Sequence, residues 1–455
     1  MRPNISRIAV RCSALNTWRR YFVTKTKCTW RAKTQWCPVR KSLASAIGQC
    51  YHTEVLRLQG YRFRLMPRPA EAFLLRQFVG CSRFVWNAIL AENEARYEMG
   101  DPLKLGYSAF CERLQTLKSR RDFLRGVHSQ PLQQTLRDLA GAYQRAFNPK
   151  LAAEMPTFKK KGFAQGIRFP QGFKVERNGV YLPKIGWVAF RVSKRTAKRQ
   201  IAGEVKNVTV RLEAGKWYIS FQTEREIAEP IHANAGSAVG IDVGVTRFAS
   251  LSDGTFFEGA NAFKKYERRV AILQRRLARK VKFSKNWRKA KAKITAIHSR
   301  IANIRKDQIH KASATISKNH AVVVMEDLRI TNMTASAAGT IEEPGKNVAA
   351  KSGLNRRILD QGWGELRRQL GYKLDWLGGT LLLVDPRNTS RECNACGHIS
   401  ADNRVSQSAF KCVECGHASN ADTNAAQNIL GRAGQARIAC GVSKDTAKQE
   451  TLCAA

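Results

Sequence analysis

Between Arg391 and Leu430 the sequence reads RECNACGHISADNRVSQSAFKCVECGHASNADTNAAQNIL. Cys393, Cys396, Cys412 and Cys415 give the spacing C-x2-C-x15-C-x2-C. Each pair can chelate from one tight turn, and four thiolates close a tetrahedral shell around Zn²⁺ with no open position. The segment must therefore double back until its two turns meet, and a metal so enclosed is structural. His398 and His417 each follow a C-x2-C-G unit; beside four thiolates they are expected to flank the metal or touch phosphate rather than bind it. The chain has twelve Cys, and the other eight are scattered. That pattern fits reduced thiols plus one zinc site in a cytoplasmic protein better than a disulfide framework. An Ala-rich helix follows the second pair almost at once, with Asn420 as its cap and Asp422 in its first turn.

Charge narrows the partners. Lys and Arg number 79 against 35 Asp and Glu, a formal charge of +44. Such a chain repels itself unless a polyanion is near, which points to nucleic acid. No run approaches the ~18 apolar residues of a membrane span, so a membrane partner is not expected. Residues 1–53 hold no Asp or Glu, and Trp18, Trp30 and Trp36 sit in no periodic pattern. This leader reads as a transit peptide or, better, as translation from a start placed too early, with Val55 a possible true start. Residues 1–54 are thus expected to be no domain, and 433–455 to be a tail.

Patterning gives the rest. Val55–Leu65 alternates as a strand: Leu56, Leu58, then Tyr61, Phe63 and Leu65 after a shift at Gly60. Residues 70–147 carry helical spacing. Strands return from Pro156 to Arg225, with turn signals at Asn178-Gly179 and Ile185-Gly186. A strand, a helical insert at about 70–150 and a run of strands predict one β-barrel-like domain over 55–230. HANAGSA (232–238) reads as a linker. From 239 on the pattern is mixed α/β. An apolar strand contains Asp242, a second strand follows, and Asp253-Gly254 turns a hairpin. Residues 263–318 predict a helical hairpin broken near KFSKN, with 19 Lys and Arg against Glu267 and Asp307, a balance that favours phosphate contact. AVVVMED ends a buried strand at Glu326 and Asp327, and TLLLVD is another.

Three acids follow from that layout: Asp242 and Glu326 on strands, and Asp422 on a helix. Carboxylates converging from separate elements suit Mg²⁺, which takes oxygen ligands and keeps water or substrate phosphate in its shell. Two such ions about 4 Å apart can hydrolyse a phosphodiester. Taken singly, each acid is equally well a strand end or a first-turn charge. Asp327 and Asp253 are rivals, Asp253 being better explained by its turn.

The stretches GIDVGVTRFASLSDG, VVVMEDLRITNM, GLNRRILDQGWGELRRQL, NTSRECNACGHISADNR, FKCVECGHASNADTNAAQNIL and MPTFKKKG resemble the TnpB/OrfB proteins of bacterial insertion sequences, which are similar to type V CRISPR effectors. The resemblance covers roughly 55–432. It implies a split RNase H-like (RuvC) nuclease domain over 236–432, carrying the basic helices and a zinc-ribbon insert at 391–417, with Asp242, Glu326 and Asp422 as catalytic, Mg²⁺-holding acids. It implies that the knuckle closes a loop onto the helix presenting Asp422. It further implies an RNA-guided DNA endonuclease with a structural Zn²⁺ and about two Mg²⁺. The guide RNA would come from the element's own end, and double- and single-stranded target DNA would be bound next to a short motif. A monomer working at the bacterial nucleoid is the expectation. Two other readings stay open: a non-catalytic nucleic-acid-binding accessory of a transposon, and a DNA-joining transposase.

Overall fold

The computed structural model describes residues 54–102, 104–162, 166–192 and 201–434. The expectations for the leader, and for the tail beyond 434, fall outside these residues.

The first core lies under an antiparallel sheet. Its strands are β1 (Glu54–Met66), β2 (Gly166–Phe169), β3 (Lys174–Val175), β4 (Gly179–Leu182), β5 (Gly186–Arg191), β6 (Glu204–Glu213) and β7 (Lys216–Ala228), in the order β2-β6-β7-β1-β5-β4-β3. Between β1 and β2 run α1 (Pro69–Glu98), α2 (Tyr107–Arg120) and α3 (Ser129–Ala146). Inward side chains of alternate strand positions, such as Phe169, Val188, Val208, Ile219 and Phe221, pack with Leu75, Phe78, Ile89, Phe110, Leu132 and Leu136 of the helices. β6 and β7 join through Ala214 and Gly215, both at positive φ (48° and 78°). That is the conformation a two-residue hairpin turn requires.

The sheet is curled, as a barrel-like domain requires. Among the described residues no pairing joins β2 to β3, and strands of four and two residues offer little edge to zip together. Leu56 and Leu58 are 57% and 63% exposed. β1 outruns the core: it pairs with β7 from Glu54 to Arg64 but with β5 only from Arg64 to Met66. Its first half is therefore a ribbon edge, and only Tyr61, Phe63 and Leu65 reach the core.

The second core is built on β8 (Ala238–Asp242), β9 (Arg247–Leu251), β10 (Phe256–Glu258), β11 (Val322–Glu326) and β12 (Thr380–Val384), ordered β10-β9-β8-β11-β12. β8, β11 and β12 are parallel, whereas β9 runs antiparallel to both of its neighbours, β8 and β10. The helices are α4 (Ala262–Ala278), α5 (Lys285–Asn319), α6 (Val348–Gln361), α7 (Trp363–Leu377) and α8 (Ala421–Gly431). α5 and α7 cover one face, where Ile309, Ile316, Leu366, Leu370 and Leu374 meet Val239, Ile241, Val323 and Met325. α8 covers the other, where Ile429 meets Val324, Leu382 and Val384. Burial on both faces is why the central strands are apolar throughout rather than alternating. The basic segment is a helical hairpin, as its spacing predicts: Val270 of α4 packs on Ile297 and Ile301 of α5, and Ser284 caps α5 by accepting the Trp287 N–H at 3.1 Å. β13 (Ala409–Lys411) and β14 (Ala418–Asn420) form a small ribbon leading into α8. No described helix is long and apolar enough to cross a membrane.

Candidate functional site

Three elements bring the acids together. β8 and β11 run in parallel register, with Ile241 beside Met325. The next residue of each strand is an acid, so Asp242 and Glu326 leave the sheet side by side at its carboxyl edge. Open parallel sheets place their sites at that edge. α8 then crosses β8 at Gly240, where a Cβ would collide with the Ala426 carbonyl oxygen and come within 2.8 Å of the Leu430 nitrogen. Only glycine lets the helix backbone lie this close. The crossing delivers the first turn of α8, and with it Asp422, to the same place. Asn420 caps that turn as expected, its Oδ1 accepting the N–H groups of Asp422 and Thr423 at 3.0 and 3.3 Å.

The cluster is short of positive charge. Burial, followed by the charges of Glu326 and Asp422, pushes Asp242 up to about 7, while Arg404 and the Val243 N–H pull the other way. Burial also raises Glu326, against a hydrogen bond from Thr389 and the field of Arg432. Arg404 Nη2 stands 3.9 Å from Asp422 Oδ1, and Arg432 is already engaged with Glu392. In a chain with an excess of 44 positive charges, acids left this poorly neutralised suit a hard cation from outside, and their oxygen donors are of the kind Mg²⁺ takes. They are not drawn as tightly as the cysteines: among the described residues no second group of three ligand atoms lies within 4.8 Å of one another. The rival acids have other work. Asp327 pairs with Arg367 at 2.6 Å. Asp253 accepts the Thr255 N–H within its hairpin turn at 2.8 Å.

The cysteine quartet is preformed. All four Sγ atoms lie within 4.8 Å of one another, with Cys393–Cys415 at 3.7 Å and Cys396–Cys412 at 3.6 Å. The two knuckles repeat one geometry. Cys393 N–H donates to His398 O and Gly397 N–H to Cys393 O; Cys412 N–H donates to His417 O and Gly416 N–H to Cys412 O, at 2.8–3.1 Å. Gly397 and Gly416 take φ of 78° and 70°, which favours glycine at each turn. Backbone N–H groups, that of Cys415 foremost, hold the Cys412 thiol down to about 6. Cys396 is pushed up to about 12: the other sulfurs outweigh the hydrogen bond at His398, the largest single influence, which acts in the opposite direction. Neither His398 nor His417 joins the cluster.

Several residues of the site escape a reading by spacing. Asn403, fully buried, ties the two knuckles: its Nδ2 donates to Arg391 O and His398 O, and its Oδ1 accepts the Val413 N–H. Asn424 and Asn428, one turn apart on α8, both donate to Glu392 O at 2.7 Å. Arg432, one turn further, bonds Asp385 O and Arg387 O. Ala421 packs with Phe410, Cys393 and Cys412, so the ribbon and the helix bearing Asp422 share one small core.

Known proteins resemble this chain over most of its described length. A family described as a probable transposase, OrfB of the IS605 type, matches residues 219–337. A Cas12f1-like TNB domain matches 363–429, which contains the cysteine quartet and Asp422. A helix-turn-helix domain matches 57–101, although in this chain that stretch is most of β1 and the single helix α1. A curated relative from Escherichia coli K12, "Putative RNA-guided DNA endonuclease InsQ", is 50% identical over 85% of this chain and 94% of its own length. Another from Streptomyces pristinaespiralis, "Putative RNA-guided DNA endonuclease", is 32% identical over 84% and 91%. A cryo-EM structure of a Cas12f1–sgRNA–target DNA complex covers 79% of this chain and 82% of its own at 16% identity, with a TM-score of 0.47, a likeness too loose to bear on mechanism.

Proposed function

The chain belongs to the TnpB/OrfB family of insertion-sequence proteins, and from that premise we propose that it is an RNA-guided DNA endonuclease carried by a transposable element. The observation that supports this most is the convergence of Asp242, Glu326 and Asp422 from two strands and a helix, with Asp242 pushed up to about 7 by burial and its two neighbours. In this reading residues 236–432 form an RNase H-like (RuvC) nuclease domain, and residues 55–230 hold RNA and read the short duplex motif. Asp242, Glu326 and Asp422 would hold Mg²⁺, about two ions, while Cys393, Cys396, Cys412 and Cys415 would hold one structural Zn²⁺. Bound Mg²⁺ would supply an activated water and charge stabilisation for the leaving oxygen.

The chain's own residues do the placing. Asp242 and Glu326 fix one wall of the site through the rigid parallel pair. Asp422 faces them from the capped start of α8. Arg404, on the loop between the first knuckle and β13, stands beside Asp422, where a guanidinium can meet a phosphate oxygen. The Lys and Arg of α4 and α5 grip backbone phosphates without reading bases, since base pairing with the guide carries the sequence information. The guide RNA would derive from the element's own end. The protein would act as a monomer on double- and single-stranded DNA at the nucleoid.

The test is a Mg²⁺-dependent assay with the co-purifying RNA sequenced and its guide matched to a target library. Guided cleavage supports the proposal. Joined DNA ends would indicate a transposase instead, and binding without strand breakage an accessory protein.

A further inference from the structure

We infer that Thr389 is a positioning residue: its hydroxyl aims the Glu326 carboxylate, and through it the segment entering the first knuckle and α8 are set against the acid site. The inference rests on reading Glu326 as a cation-holding carboxylate.

Thr389 is only 3% exposed. Its Oγ1 lies 2.5 Å from Glu326 Oε1 and 3.1 Å from Pro386 O. A hydroxyl has one proton to give. The carboxylate, charged and nearer, is the stronger acceptor. Glu326 is the last residue of β11, where the strand's own pairing ends and nothing in the ladder fixes its side chain. The bond from Thr389 commits one oxygen and holds the carboxylate plane, leaving the other oxygen for a cation. Partners that orient ligating carboxylates tune a metal site in this way.

The threonine is itself held from the opposite side. Its carbonyl accepts Asn428 Nδ2 at 2.9 Å, and the same nitrogen bonds Glu392 O at 2.7 Å. Asn388, at φ 59°, turns the chain just before it. The Asn388 carbonyl accepts the N–H groups of Arg391 and Glu392, both at 2.9 Å. One residue thus joins Glu326 on β11, the segment entering the first knuckle, and the helix that carries Asp422. A residue that merely filled space here would need the shape of threonine but not its hydroxyl.

Thr389→Val keeps much of that shape and removes the hydroxyl, whereas Thr389→Ser keeps the hydroxyl. Both are measured in the full chain with its zinc and its RNA, as guided cleavage against Mg²⁺ concentration. For Thr389→Val, cleavage at limiting Mg²⁺ should fall about 10- to 100-fold, with half-saturation moved up about tenfold and most of the rate regained at excess Mg²⁺. Thr389→Ser should cut nearly as the parent does, and both variants should keep one zinc and full RNA retention. A valine variant with the parent's Mg²⁺ dependence overturns the inference. So does a serine variant as impaired as the valine one, or a valine variant that loses its zinc, since either marks a packing role. Glu326→Ala separates the two levels. If it still cuts, the reading of the acid site itself is wrong. If it is dead while Thr389→Val behaves as the parent, only the role of Thr389 falls.

Discussion

The four cysteines come from one short stretch, 393–415, whereas 84 positions separate Asp242 from Glu326 and 96 more separate Glu326 from Asp422. The cysteines are gathered by local turns, each closed by its own backbone hydrogen bonds and a glycine at positive φ. The acids are gathered by tertiary structure: a parallel register, and a helix that can dock only because residue 240 lacks a Cβ. Local gathering leaves a signature in spacing. Tertiary gathering leaves only acids at the ends of apolar strands, which many proteins possess. The two clusters also differ in what they do to the fold. The knuckles stay closed through backbone bonds, while the charges of Glu326 and Asp422 act against ionisation of Asp242.

The largest effect expected is at the acids. Asp242→Ala, Glu326→Ala and Asp422→Ala should each reduce guided DNA cleavage by about 10³-fold or more, because groups acting on shared ions fail together. RNA retention should stay nearly intact, as many separate phosphate contacts carry it. Asp253→Ala and Asp327→Ala are the controls and should cut far better. Parallel loss of RNA retention in all three variants would mean that the acids support folding instead.

The next effect concerns how the acids are gathered. Gly240→Ala should push α8 off β8 and destabilise this part of the chain by about 1–3 kcal/mol. Cleavage should drop about 100-fold, since a displacement of ~1 Å at a reacting centre costs that much. An alanine variant that cuts at the parent's rate would show that Asp422 does not depend on this crossing.

Disrupting the cysteines should cost less. Cys412→Ser should release the zinc and lower cleavage about 10- to 100-fold through the loosened start of α8, with the seven-stranded sheet unaffected. Metal analysis showing no zinc in the parent, or unchanged zinc in the variant, would remove the quartet from the account.

The smallest effect is on stability, and its sign follows from the acid cluster. Asp242 titrates near 7 in the fold, above the ~3.9 of a free aspartate. The fold therefore holds the proton more tightly than the unfolded chain. The stability linked to that proton is fully present below about pH 4 and is lost as pH rises through 7. Without divalent metal, Asp242→Asn should thus stabilise the chain, by about 2 kcal/mol more at pH 8 than at pH 5.5. Melting curves of the metal-free protein at the two pH values would read this difference. A variant that is less stable than the parent at pH 8 would show that Asp242 is not under repulsion.

The contrast also explains what the sequence disclosed. The spacing of the cysteines, the basic helical hairpin and the strand endings at Asp242 and Glu326 were readable because each follows a short-range rule. Thr389, Asn403, Asn424 and Asn428 were not, because each acts on backbone atoms of a distant segment and ordinary polar residues give no periodic signal. Arg404 was hidden among many arginines. The exposure of Leu56 and Leu58 was not readable, because alternation says which side chains share a face, not where along a strand the core stops. Nor does a hydrophobic pattern say how far a curled sheet closes, since pairing between its edge strands depends on strand length and partners that such a pattern does not encode.

The central claim is that the three acids make one hard-cation site, separate from the zinc. Titration of Mn²⁺ into the zinc-loaded, RNA-free chain tests it most directly. A saturable Mn²⁺ site is expected that is lost in Asp242→Ala, Glu326→Ala and Asp422→Ala alike, and kept in Asp253→Ala and Asp327→Ala, with zinc at one per chain throughout. Equal Mn²⁺ binding by the parent and the three variants would contradict it.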